Sequence, residues 1–217
     1  MVRKDEHVAE HFDRAAATYD RSFTVKHYQS RALALALERL PIESEMRVLE
    51  IGCGTGTGTL AVATRLNGTG QVIGLDVSPK MIEQAQIRLS ASGLSNVQFV
   101  SGSAHDLEYE DTFDVVFCTN AYHHFADKTG IFRRVRQSLK IGGSFWVQDS
   151  CSDFLPMRGL DLLGKLGERA HVGTTTSRQL ENLYRNAEFV DVEVSSSKLT
   201  WFWGIMIGKG VKQRPRE

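Results

Sequence analysis

Two carboxylates, Glu50 and Asp76, each sit at the end of an apolar run, and a glycine-rich stretch lies between them. Glu50 belongs to Arg47-Val48-Leu49-Glu50-Ile51, after which Gly52, Gly54, Gly56 and Gly58 recur at every second position before a helical run from Leu60 to Leu66. Glycine tolerates positive φ and lets a ligand lie against bare backbone, so this turn reads as a ligand cradle. Its spacing decides what it holds. A dinucleotide fingerprint needs G-x-G-x-x-G straight after the strand, yet counting from Gly52 or Gly54 the third position is Thr57 or Thr59. Gly56-x-Gly58-x-x-Ala61 fits the looser form but starts too far beyond Ile51. Asp76 ends a second apolar run, Val72-Ile73-Gly74-Leu75-Asp76, one β-α-β unit further on. Its two acceptor oxygens match the two hydroxyls of a ribose diol. The same carboxylate can instead cap the next helix, and both roles fit if Ser78 caps while Pro79 takes the first helical position.

A third group follows the run Phe113–Thr119: Asn120, Ala121, Tyr122, His123, His124 and Phe125. In open α/β sheets ligands sit beyond the carboxyl ends of the strands, so a second reactant belongs here. Imidazole titrates near neutral pH and can take a proton from an oxygen, nitrogen or activated carbon nucleophile. His123 is the preferred base, with the alternative that one of the pair packs or caps the following helix. Asn120 is placed to line the pocket or polarise an acceptor.

These residues need strands to carry them. Strands are expected near 47–51, 71–75, 97–101, 113–119, 143–149, 188–195 and 200–207, and helices over 5–19, 24–39, 57–66, 79–92, 128–139, 157–168 and 177–186. Alternation of this kind makes a parallel sheet with helices on both faces. Asp127 reads as the N-cap of the helix whose buried stripe is Ile131, Phe132, Val135 and Leu139; Arg133, Arg134 and Arg136 face outward as a solvated surface. Gly142-Gly143 is expected to end that connection. The last two strands are joined only by Ser195-Ser196-Ser197-Lys198, too short for a parallel crossover, so that pair must be antiparallel. The expected fold is one α/β domain over 1–217, a doubly wound seven-stranded sheet, mostly parallel with an antiparallel last strand. The tail from Lys209 to Glu217 is expected to fray.

At 217 residues the chain can build a full core. Lys plus Arg and Asp plus Glu are both 26, a net charge of zero, which argues against nucleic acid as partner. The first ten residues are charged, and no apolar run approaches membrane-spanning length, so a cytoplasmic location follows by default. Cys53, Cys118 and Cys151 are scattered and form no C-x-x-C pair, indicating neither zinc nor a disulfide framework.

Glu50-x-Gly52-x-Gly54-x-Gly56 resembles the S-adenosylmethionine (SAM) loop of the class I methyltransferases, and the antiparallel final strand is shared with them. The resemblance spans nearly the whole chain and implies a Rossmann-like enzyme with SAM as methyl donor, S-adenosylhomocysteine (SAH) as product and no metal. It implies that Glu50 sits near the amino group of the cofactor, that Gly52 and Gly54 approach its methionine tail and ribose, and that Asp76 holds the ribose. Cys53, Gly56, Val77, Met81 and Asn120 complete that pocket. Related methyltransferases often read G-D-A after the third strand, the acid meeting the adenine amine; here Ser103 and Ala104 stand there, without charge assistance. His105 and Asp106 are expected to face solvent or cap the next turn.

Phe12-Asp13-Arg14-Ala15-Ala16-Ala17-Thr18-Tyr19-Asp20 resembles the F-D-x-x-A-x-x-Y-D segment of the ubiquinone/menaquinone-biosynthesis and biotin-pathway methyltransferases. There the front helix covers the pocket, which makes residues 1–40 a helical cover. Val8, Phe12, Ala15 and Tyr19 share one helical face. Tyr19 then closes over the sulfonium or the substrate, where an electron-rich ring is favourable, or is an ordinary core aromatic. The quinone enzymes carry an arginine-asparagine pair after the fourth strand, and Tyr122-His123 stands in its place. The apolar run Leu155–Leu166, within 152–176, reads as a cover for a small, partly hydrophobic methyl acceptor or as helix packing. His123, Tyr19 and Asn120 are the catalytic candidates. A SAM-binding sensor or scaffold without transfer, and a quinone-type C-methyltransferase, are the alternatives.

Overall fold

Among the residues described by the computed structural model, 2–154 and 175–214, seven strands form a single sheet in the order β3-β2-β1-β4-β5-β7-β6. They are β1 (Arg47–Ile51), β2 (Gln71–Asp76), β3 (Val97–Ser101), β4 (Phe113–Thr119), β5 (Leu139–Ser150), β6 (Phe189–Lys198) and β7 (Gly204–Lys212). β1 to β5 pair in parallel, and β7 runs antiparallel to both β5 and β6. This is the Rossmann-like sheet with an antiparallel last strand. Strand order reverses between β1 and β4, and in such sheets the crevice at that reversal receives the ligand.

The central strands read as unbroken apolar runs because helices cover both faces. Alternation along β1 and β4 divides their side chains between two cores. Val48, Val115 and Phe117 pack with Leu40, Val62 and Leu66 of the side formed by α2 (Ser30–Arg39) and α3 (Thr57–Arg65). Leu49, Ile51, Val116 and Cys118 pack with Ile131, Phe132, Leu180 and Tyr184 of α5 (Lys128–Ser138) and α6 (Ser177–Asn186). A smaller cluster of Cys53, Ile82, Ala85 and Phe99 seats α4 (Pro79–Ser92). The starts of α4 and α5 follow the expected caps, and α6 adds one of its own. Ser78 accepts from the Met81 amide with Pro79 next to it, Asp127 accepts from the Gly130 amide, and Thr176 with Gln179 forms a capping box.

Several boundaries differ from the sequence expectation, each for a physical reason. Ser195, Ser196 and Ser197 belong to β6, opposite Ile207, Met206 and Ile205, and the chain reverses at Leu199–Trp203. A polar run suits β6 because it is an edge strand with water on one face. Lys209–Lys212 is therefore strand, not fraying tail. Gly142, at φ +85°, and Gly143 lie inside β5 beside a register shift against β4, so they form an irregularity in the strand, not its start. The front helix α1 (Val2–Ala15) stops short of Tyr19, which sits in a 3-10 turn, Tyr19–Arg21. The next helix opens with a π turn, Val25–Gln29, before α2. The helix expected over 157–168 and nearly all of the cover at 152–176 lie outside the described residues.

Candidate active site

The crevice at the strand reversal holds a cavity of about 290 Å³. Its walls are the turn after β1, the ends of β2 and β3, the segment after β4, and the N-terminal cover. Glu50, Gly52, Cys53, Gly54, Asp76, Val77, Met81, Ser103, Ala104, Tyr19 and Asn120 all line it. Gly56 and His123 do not.

Glu50 is almost fully buried at the end of β1. Thr59 donates to its Oε2 at 2.5 Å and Thr119 to its Oε1 at 3.4 Å. Burial pushes its carboxyl up to about 8, and these hydroxyls offset only part of that. Gly58 makes room for it: a Cβ there would lie 2.4 Å from Glu50 Oε1. The three turn glycines have different tasks. Gly52, at φ +72°, is a close approach, since its Cβ would meet Ala121 Cβ at 2.4 Å. Only Gly54, at φ +52°, faces open space, and it leaves the bare backbone that a ligand can reach. Gly56, at φ +82°, backs onto Phe99 and Ala85, which explains its place outside the wall.

Asp76 is held by two amides: Gly54 N donates to Oδ2 at 2.8 Å and Ser78 N to Oδ1 at 2.9 Å. Each carboxylate oxygen retains acceptor capacity, which is what a vicinal diol requires. Burial raises its pKa, while those amides oppose the rise.

The N-terminal cover is tied down by three acids, one to each ligand-facing turn. Asp20 accepts from Thr55 Oγ1 at 3.0 Å and pairs with Arg88, whose other nitrogen donates to Thr57. Asp13 accepts from Ser78 Oγ at 2.6 Å and Lys80 N at 3.1 Å. Asp5 accepts from Ser103 Oγ at 2.5 Å and lies 3.9 Å from His105 Nε2. His105 Nε2 is buried without a hydrogen-bond partner among the described residues, and the residue lines the cavity; contrary to expectation it neither faces solvent nor caps the turn, the cap being Ser103. The Ser103 position, which lacks its own acid, thus receives one from α1. Tyr19 donates to Gln29 Oε1 at 3.0 Å; burial first, then Asp76, Asp20 and Asp149, push its phenol up to about 12.

After β4, Asn120 takes φ +53°, a left-handed conformation that asparagine tolerates, and its amide donates to Gln148 O at 2.9 Å. His124 reaches the cavity wall beside Phe12, with ring centroids 5.0 Å apart. His123 turns away to Asp149 at the end of β5: its Nδ1 is 2.9 Å from Oδ1, and its own amide donates to Oδ2 at 2.9 Å. Burial alone would raise the Asp149 carboxyl, but His123 and the amides hold it below the ordinary value. A carboxylate there favours the imidazole proton on Nδ1 and fixes the orientation of the ring. Asp149 is a third strand-end acid, like Glu50 and Asp76, and only the fold shows that His123 is its partner. Asp20 closes the Phe12–Asp20 segment, whereas Asp5 and Arg88 carry no local signal; only the fold brings those two to the cavity. All three cysteines are buried and free.

A family profile described as a methyltransferase domain matches residues 42–201. An uncharacterized methyltransferase of Bacillus subtilis, YcgJ, is 27% identical over 188 residues, covering 85% of this chain and 73% of its own. A demethylmenaquinone methyltransferase of Geobacillus kaustophilus is 27% identical over 216 residues, covering 88% of this chain and 92% of its own. Phosphoethanolamine N-methyltransferase 2 of Haemonchus contortus, solved in complex with S-adenosyl-L-methionine, superposes with a TM-score of 0.75 at 19% identity, covering 93% of this chain and 57% of that one. That last likeness is one of fold.

Proposed function

The chain belongs to the methyltransferase family of that domain, and from this membership we infer that its cavity binds SAM and moves the methyl group to a small, partly hydrophobic acceptor. The observation that carries the inference is Asp76, braced by two amides with acceptor capacity to spare, across one wall from the bare Gly54 backbone and the buried Glu50. In this reading Asp76 grips the ribose hydroxyls. Glu50 meets the positive amino group of the methionine tail, whose arrival favours the ionised carboxylate. Asp5, Ser103, Ala104 and His105 surround the adenine.

Transfer is an in-line displacement. A lone pair of the acceptor forms the new bond to the methyl carbon, the carbon–sulfur bond breaks, and its electrons stay on sulfur as a neutral thioether. Charge disperses as this happens, so a half-closed, largely apolar cavity and good positioning supply the rate. Where the acceptor carries a proton, His124, an imidazole on the cavity wall, is the base we assign to it, with Tyr19 and Asn120 bounding the methyl. A phenol held at about 12 orients without ionising.

A quinone-type acceptor is the second reading. It is favoured by the demethylmenaquinone methyltransferase relative, which matches 88% of this chain, and opposed by Tyr122-His123 at the position of the quinone enzymes' arginine-asparagine pair. Calorimetric titration tests the cofactor assignment. SAH should bind with one site while NAD and NADP do not; binding of NAD alone would overturn it.

A further inference from the structure

Among the described residues, one face of the molecule gathers aromatic rings and cations. Phe23 is 66% exposed and Trp201 79% exposed. Phe23 packs on His27 at 4.4 Å, Tyr28 lies flat on Trp203 at 4.9 Å, and Trp201 meets Phe202 at 5.1 Å, so the π turn and the β6–β7 reversal form one continuous strip. Residues 21–37 and 194–212 contain no Asp or Glu, and within them Arg21, Lys26, Arg31 and Lys198 are exposed, on a chain whose net charge is zero. Of the acids that flank these two segments in sequence, Asp20 is engaged by Arg88 and Thr55 and Glu193 by Lys209, while Glu38 is exposed near the end of α2.

Rings this large are seldom left in water without a partner. Exposed Trp and Phe framed by Lys and Arg have the composition of an interfacial surface, the rings suited to the headgroup boundary and the cations to anionic lipid. Among the described residues no helix is long and apolar enough to cross a membrane, so contact would be from one side. The turns that carry Phe23 and Tyr28 also place Val25, Gln29 and Leu33 on the cavity wall. We propose that this face docks on an anionic phospholipid bilayer and sets the mouth of the cavity against it. On the methyltransferase reading, the acceptor is then a lipophilic molecule taken from the membrane.

Co-flotation of the full chain with phosphatidylcholine vesicles, with and without phosphatidylglycerol, tests the docking. Binding is expected only with phosphatidylglycerol, reversed by high salt, with a blue shift of tryptophan emission. Lys26→Ala should weaken it about fivefold, the share of one cation. Phe23→Ala with Trp201→Ala should weaken it at least tenfold while leaving circular dichroism and SAH affinity unchanged, since neither ring is in the cavity. No flotation at any composition, flotation indifferent to these variants, or variants that only abolish a dimer in sedimentation would each overturn the proposal. SAH titration on the same samples keeps that failure separate from any failure of the cofactor assignment.

Discussion

Replacing Glu50 by Gln isolates the most perturbed acid of the site. The Glu50 carboxyl is pushed from 4.5 up to about 8 by burial. Between those values the folded chain keeps a proton that the unfolded chain has released, so this residue's contribution to stability is complete below the lower value and is lost as pH rises toward the upper one. From pH 5 to pH 7 the loss is about 2 kcal/mol, taken from the difference between the two titration curves. Glutamine has the same shape, its carbonyl can accept from Thr59, and it does not titrate. Urea unfolding followed by circular dichroism should therefore give a wild-type stability that falls faster with pH than that of Glu50→Gln, by about that amount over the same window. The variant should be the more stable protein at pH 7 and yet bind SAH more weakly, because its site offers no negative charge to the ligand's amino group. Parallel pH profiles for the two proteins would refute a raised Glu50 and remove the reason for its burial beside the cavity.

Asp76→Ala should weaken SAH binding by about 1–3 kcal/mol in calorimetry, through lost hydrogen bonds to the ribose; unchanged affinity would leave Asp76 with only its two amides. Tyr19→Phe should cost about 1 kcal/mol of stability by removing the bond to Gln29, but leave the shape of the kcat–pH profile intact; loss of a limb would mean that the phenol ionises in turnover. His124→Ala should lower kcat with little change in SAH affinity, and a Kd that moves as much as kcat would make the ring structural.

Local chemistry made much of the fold legible. β1, β3 and β4 have the expected ranges because their apolar runs are short and ended by turn residues, and α4 because Ser78-Pro79 marks its start. β6 runs on through Lys198 because, although serines suggest a loop, an edge strand tolerates them on its wet face. The front cover departs from one helical face because Asp20 is drawn to Thr55 and Arg88, which lie far away in sequence. For the site, the strand-end acids Glu50 and Asp76 were visible, as was the Ser103 turn. That Gly52 yields to Ala121 and Gly56 to Phe99, or that Asp5 is brought to Ser103, depends on packing between distant segments.

Methyl-labelled SAM incubated with the chain and a lipid-containing metabolite extract tests the central claim most directly. The expected result is label in a small, organic-soluble product, with SAH formed in equal amount and both reduced in Asp76→Ala at limiting SAM. Tight SAH binding with no label transferred to any fraction would contradict it and make the cavity a cofactor sensor.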